Sequence, residues 1–355
     1  MKKITAFFLA AVLSASVLSG CGSKGDSDTQ TKPETVPQTV PASTETDAES
    51  EAAATEVNVL ALKGPTAMGM VKMMEDTDSG ALTSEDYHFS IVASVDEVAP
   101  KLVQGEADIA AVPANLASVL YNNTKGGVKV LAINTLGVLY IAENGDTVKS
   151  VSDLKGKTIY ASGKGATPEY ALNYILSENG LNPETDVTIE WKSEHSECVA
   201  AMAKGENAIA MLPQPFLTTA QSKNDKIRVA LDLTEEWEKL QSDKDDKSTM
   251  LTGVVVARTA FVDEHPEAVE DFLNNYKASV EFVNASVDKS AALVGKYDIV
   301  PEAVAKKAIP ECNIVCIDGD EMKAGLSGYL NVLMNQNPKA VGGQLPADDF
   351  YYSRQ

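Results

Sequence analysis

Few residues in this chain of 355 could do covalent chemistry: it has three His and four Cys. That supply is too small and too scattered for a zinc cluster or a multi-His centre, so neither a metal nor a cofactor is expected. His195 and Cys198 stand three apart and would share a helix face, the arrangement of a Cys–His nucleophile pair. The same two positions also read as a helix start and a packing thiol. Cys312 and Cys316 flank three residues; in an exported protein they could bridge or stay reduced and buried.

Residues suited to holding a small molecule are better represented, and they lie in loops. One loop runs Lys63-Gly64-Pro65-Thr66-Ala67-Met68, another Pro113-Ala114-Asn115, a third Gly163-Lys164-Gly165-Ala166-Thr167-Pro168, a fourth Pro213-Gln214-Pro215. Gly163 and Gly165 allow a backbone to approach a ligand closely, and a helix start beyond them offers free amides to a negative group. That loop lacks the Gly-Lys-Ser/Thr ending of a nucleotide-binding loop. It also reads as a tight strand-to-helix turn, with Thr167 as N-cap and Pro168 at the first helical position. The ligand contacts expected on these grounds are Lys63, Gly64, Pro65, Thr66, Met68, Pro113, Asn115, Gly165, Ala166, Thr167 and Gln214.

The elements between these loops must position them. Val57–Leu62 reads as a strand, Thr66–Glu75 as a helix, Tyr87–Ser94 as a strand, Asp96–Gln104 as a helix, and Asp108–Val112 as a strand closed by Pro113. Such alternation belongs to α/β folds with largely parallel, buried sheets. An internal echo extends the pattern. Gly105-Glu106-Ala107-Asp108-Ile109-Ala110-Ala111-Val112-Pro113 recurs one hundred residues later as Gly205-Glu206-Asn207-Ala208-Ile209-Ala210-Met211-Leu212-Pro213, and Val95-Asp96-Glu97-Val98 aligns with His195-Ser196-Glu197-Cys198. Each copy is a helix, a glycine stop, a buried strand and a proline where the chain leaves the sheet. Two similar α/β lobes follow, and the family resemblance given below implies their bounds: residues 56–140 with 250–355, and residues 141–249. Ligands of such sheets bind outside the carboxyl ends of the strands.

The N-terminus is a targeting segment. Lys2 and Lys3 precede an apolar run from Ile4 to Val17, too short to span comfortably. Leu18-Ser19-Gly20-Cys21 then resembles the lipobox of bacterial lipoproteins. The resemblance implies that residues 1–20 are a signal peptide and that Cys21 is lipid-modified, tethering the protein to the outer face of a membrane. Residues 21–55, rich in Ser, Thr, Pro and Glu, read as a disordered acidic tether. Part of the formal net charge of −21 therefore belongs to the tether, and 51 acidic against 30 basic residues exclude a phosphate backbone as partner.

Taken together, the lipobox, the tether, the strand Val57–Gly64, the segment from Gly105, Asp153-Leu154-Lys155-Gly156-Lys157-Thr158-Ile159, Gly163–Pro168, His265-Pro266-Glu267-Ala268-Val269 and the terminal Leu345-Pro346 with Phe350-Tyr351-Tyr352 resemble the substrate-binding lipoproteins of ABC importers. The likeness is to the nitrate, sulfonate, taurine and pyrimidine-precursor binding group. It implies a type II periplasmic-binding-protein fold, each lobe a mostly parallel sheet flanked by helices, joined by two crossing strands for which Gly137–Glu143 and Thr249–Arg258 are the candidates. It further implies a monomer that closes around a small molecule and presents it to a membrane permease, so binding and not bond-making is the function. A lipoprotein that signals occupancy to a receptor, and an enzyme on the same fold, are the alternatives. The three arginines, Arg228, Arg258 and Arg354, lie outside the loops, which weighs against a bidentate carboxylate clamp and hence against amino acids. The Cys-rich motif of enzymatic pyrimidine-precursor relatives is missing. Lys63 and Lys164 are the cations beside the expected cleft. A small sulfonate held by amides, or a neutral heterocycle stacked on Tyr87, Tyr140, Trp191 or Phe216, both satisfy the sequence.

Overall fold

The computed structural model describes residues 54–203, 205–244 and 248–354; Cys21 and the signal and tether segments before residue 54 lie outside them. The first lobe opens with β1 (Glu56–Leu62), α1 (Pro65–Met68), α2 (Val71–Asp78), β2 (Asp86–Val92), α3 (Val98–Gln104), β3 (Ile109–Pro113), α4 (Ala114–Thr124) and β4 (Val128–Leu136). The chain then builds β5 (Leu139–Asn144), β6 (Thr158–Ser162), α5 (Thr167–Glu178), β7 (Thr188–Lys192), α6 (His195–Met202), β8 (Ile209–Pro213), α7 (Phe216–Lys223), β9 (Ile227–Asp232) and α8 (Leu233–Gln241). It returns through β10 (Leu251–Arg258), α9 (Thr259–Glu264), α10 (Pro266–Ala285), α11 (Val287–Lys296), α12 (Glu302–Ala308), β11 (Ile314–Ile317) and α13 (Gly319–Gln336).

Two sheets result. One has the order β11-β4-β10-β3-β1-β2, the other β7-β6-β8-β5-β9. The echoed strands β3 and β8 are buried along their whole length and hold the same place, between β1 and β10 in one sheet and between β6 and β5 in the other. The helix starts echo as well. Ser94 and Glu97 form a capping box ahead of α3, and Glu194 and Glu197 form one at α6, one hundred residues on. The echo is therefore two copies of one supersecondary unit.

The two-lobed α/β architecture is present, and most strands of each sheet point one way: β1, β2, β3 and β4 against β10 and β11, and β6, β7, β8 and β9 against β5. β1 pairs in parallel with β2 and β3, and β6 with β7 and β8, whereas β10 runs against β3 and β4 and β5 against β8 and β9. The reason is connectivity: β5 and β10 each enter their sheet from the opposite lobe. The runs expected to cross between lobes are likewise each a strand of one sheet. On the way out the chain passes between the sheets at Gly137-Val138, and on the way back it enters β10 from Met250. The two passages touch. A Cβ on Gly137 would stand 2.8 Å from Thr234 Cγ2 and 3.0 Å from Met250 Cε, so close approach requires glycine here.

Two further expectations change. Thr66–Glu75 is two helices, broken at Gly69, where a Cβ would meet the Tyr276 hydroxyl at 2.9 Å. Thr167 is the first helical residue of α5 and Ala166 its N-cap; the Thr167 hydroxyl is engaged elsewhere, as described below. Behind the crossings, Trp237 of α8 is fully buried, its indole N–H donating to Ser248 at 3.1 Å, with Tyr174 of α5 and Tyr329 of α13 at ring distances of 4.6 and 5.2 Å. This cluster joins helices of both lobes. If the crossing point is as tight as its geometry, Gly137→Ala lowers stability by about 1–3 kcal/mol through overpacking, read as a reduced midpoint in urea unfolding.

Candidate functional site

The carboxyl ends of β1 and β3 face those of β6 and β8, and the cleft between them is the candidate site. Its inner part, about 50 Å³, is walled mainly by Leu62, Pro65, Val95, Leu139, Pro168 and Pro213. Thr66, Gly163, Ala166, His195 and Thr252 also face it. An outer part of about 140 Å³ shares Leu62, Lys63, Val95, Gly163 and His195 and adds polar groups: Ser94, Asp96, Ser162, Lys164, Lys192 and Glu194. The site is thus apolar at depth and charged at its rim.

Of the expected contacts, Lys63, Pro65, Thr66, Pro113 and Ala166 line the inner cavity. Lys63 pairs with Asp298 at 3.2 Å, and the Thr66 hydroxyl donates back to the Leu62 carbonyl at 2.8 Å. Gly64 stands at φ 143°, and a Cβ there would come 3.8 Å from the Phe216 ring of the other lobe. Others lie off the cavity walls. Met68 is in the core beside Cys312. The Gly165 amide donates to the Glu169 carboxylate at 2.5 Å. Asn115 and Thr167 are buried next to the cleft and bond to each other. Gln214 accepts from the Thr218 hydroxyl at 2.9 Å and faces a separate groove of about 390 Å³ with Tyr140, Lys307 and Glu311.

Gly163, and not Gly165, is the glycine of the cleft. It sits at φ 82°, and a Cβ there would meet Pro168 Cγ at 2.9 Å, so both backbone and space demand glycine. The lining residues that the sequence reading passed over are Ser162, His195, Val95, Ser94, Leu139 and Thr252. The echo carried the signal for two of them: Val95 and His195 occupy equivalent helix starts and face one another's lobe across the cavity.

His195 has the most distinctive setting. Its Nδ1 lies 2.5 Å from Ser162 Oγ, and its ring packs on Phe216 with centroids 5.0 Å apart. Removal from water lowers its pKa from 6.5 to about 4, so the ring is neutral at ordinary pH and acts by hydrogen bonding. Cys198, on the same helix face, is fully buried, and burial pushes its thiol up to about 11. It stays protonated, unlike an activated nucleophile. Cys312 and Cys316 are free thiols, with no bridge between them.

No arginine reaches the cleft. Arg228 pairs with the buried Glu143, Arg258 with Asp108, and Arg354 with Glu270 and Asp318. Glu143 also accepts from the Thr147 and Val148 amides. Burial opposes its ionisation, but these bonds together hold its carboxyl below the usual range.

A two-lobed fold with a small ligand-sized cleft at facing strand ends defines a solute-binding protein. The family model for the ABC transporter phosphonate periplasmic substrate-binding protein matches residues 78–299, and the chain belongs to that family. Solved structures share the fold. An ABC transporter protein from Parabacteroides distasonis superposes with a TM-score of 0.69 at 23% identity, over 85% of this chain and 100% of that one. The aliphatic sulphonate binding protein SsuA from Escherichia coli gives 0.66 at 15% identity, over 84% and 92%. The nitrate-binding protein NrtA from Synechocystis PCC 6803 gives 0.57 at 14%, over 71% and 69%. No curated protein matches the chain. The protein is thus the extracytoplasmic substrate-binding component of an ABC importer. Among the described residues no helix is long and apolar enough to cross a membrane.

The His195 environment has a measurable consequence. Its folded pKa lies below its unfolded value near 6.5, so the unfolded chain binds the extra proton first as pH falls. The stability present above about pH 6.5 is then progressively lost towards pH 4. Replacing the ring by His195→Gln flattens this segment of the profile; an unchanged slope in urea unfolding across pH 4–7 would show that the ring is not desolvated.

Proposed function

We propose that the cleft takes a small organic monoanion with a short apolar body, of the alkanesulfonate class. The observation that carries this reading is the division of the site: an apolar inner cavity next to a neutral His195–Ser162 pair, with Lys63, Lys164 and Lys192 at the rim and every arginine engaged elsewhere. No guanidinium fork is offered to a carboxylate or phosphonate here, so bidentate recognition of such a group is not part of the site. A sulfonate spreads one charge over three acceptor oxygens, which suits the one hydrogen that the Ser162–His195 pair leaves free together with Lys164 and the ion-paired Lys63 and Lys192 at the rim. The shared fold with a protein named for aliphatic sulphonate binding is consistent with this choice. Capture is by lobe closure and no bond is made: Cys198 is a buried, protonated thiol and His195 is turned to Ser162.

Lysines at the rim and the small enclosed volume restrict the ligand to a few heavy atoms. The ligand contacts of this reading are Lys63, Pro65, Thr66, Gly163, Ser162 and His195, with Pro113 and Ala166 supplying apolar wall. We further propose that Cys21 carries the lipid and that the acidic segment after it is the tether, on the strength of the Leu18–Cys21 motif behind a basic and apolar leader.

Calorimetric titration with methanesulfonate, ethanesulfonate, taurine, methylphosphonate and nitrate tests the ligand class. Ethanesulfonate is expected to bind, and His195→Ala to weaken it at least tenfold; binding of methylphosphonate or nitrate alone would replace the reading. At 100 times the dissociation constant the ligand adds about 2.7 kcal/mol of stability. For the anchor, Cys21→Ser is expected to abolish incorporation of labelled palmitate and release the protein from membranes, and retention of the label would reject it.

A further inference from the structure

Besides the crossings and the Trp237–Tyr174–Tyr329 cluster, the lobes meet where α12 packs on α7 and where α4 and α13 pack on α5. On one flank of the cleft the Gly64 turn of the first lobe lies near Phe216 at the start of α7 in the second, where a Cβ on Gly64 would stand 3.8 Å from the ring. On the other, Asn115 at the start of α4 meets the start of α5. Asn115 is fully buried, and its carboxamide is engaged on both atoms. Its Oδ1 accepts from the Thr167 hydroxyl at 3.3 Å, and its Nδ2 donates to the Gly165 carbonyl at 3.3 Å and to the Ala340 carbonyl at 3.0 Å. Two of these partners belong to the second lobe. The third belongs to the turn Pro338–Val341, which Ser118 and Asn122 of α4 hold through the Val341 carbonyl at 2.8 and 2.7 Å.

We propose that Asn115 is the positioning residue that sets lobe closure. Its amide group, anchored on the first lobe through Ala340, grips the Gly165–Thr167 turn of the second without touching the ligand. The carboxamide has both of its N–H groups and its oxygen committed, so it has little left to offer a solute. It is well placed instead to hold the loop from which Gly163, Ala166 and Pro168 line the cavity. Separating α4 from α5 exchanges these hydrogen bonds for bonds to water, at a net cost for each bond lost. Each such bond is worth about a two- to tenfold bias in the open–closed equilibrium. Because the solute sits between the lobes, the same factor enters its apparent affinity. The inference rests on the two-lobed binding-protein reading but not on the identity of the solute, so a sulfonate titration can fail while it stands.

Hydrogen exchange followed by mass spectrometry on the full chain tests it. Thr167→Val keeps the side-chain shape and removes the hydroxyl donor; Thr167→Ser keeps the donor. The expected result for Thr167→Val is exchange about two- to tenfold faster at 64–70 and 216–220, on the opposite flank, with the buried strands β3 and β8 unchanged and Thr167→Ser close to the parent. Asn115→Ala should give the same pattern more strongly, and provides the test if the valine variant folds poorly. Acceleration confined to 113–118 and 165–170, or no change in either variant, would reduce Asn115 to a local packing role and overturn the proposal.

Discussion

The chain must pass twice between its lobes, and both passages run through one crowded point. Gly137 on the outward crossing lies against Thr234 of α8 and Met250 on the return. Much of the architecture follows. Because β5 and β10 arrive from the other lobe, each enters its sheet antiparallel and leaves β3 and β8 in the interior, parallel to β1 and β6. The carboxyl ends of those strands then face across a single gap. The helices that follow begin at that gap, which is why residues as distant in sequence as Lys63, Pro113, Gly163 and His195 share a cavity.

Charge is distributed so that the gap itself carries little fixed cation. The helix starts at α3 and α6 are answered by their own glutamates through capping boxes. The arginines serve the frame: Arg258 closes on Asp108 at the foot of β3, and Arg228 on Glu143 of β5. A solute in the cleft therefore meets short-range hydrogen bonds and apolar walls more than a strong field.

Much of the fold was legible in the sequence because the signals were local and repeated. The run Ile109–Pro113 and its copy Ile209–Pro213 announced two equivalent buried strands, and the alternation of elements announced an α/β fold. The reversed direction of β5 and β10 was not legible, since it depends on which lobe a strand comes from and not on its own residues. Residues of the four loops named in the sequence do line the cleft, but which of them face it was not legible. Gly163 and Gly165 look alike in sequence; only the packing of Pro168 over Gly163 makes that one the cleft residue. Asn115 and Thr167 have the types of ligand contacts, yet each is placed to satisfy the other across the lobes. His195 looked like a helix start, which it is, and its cleft role emerges only when Ser162 and Phe216 fold around it.

The central claim is that a small sulfonate is held between the lobes at His195. Diffraction from crystals grown with ethanesulfonate, with anomalous data for sulfur, tests it most directly. The account predicts a sulfur peak in the cleft, separate from the methionine and cysteine sulfurs, with sulfonate oxygens within hydrogen-bond reach of the His195 ring. A cleft with no such peak, or ethanesulfonate bound away from the facing strand ends, would contradict it.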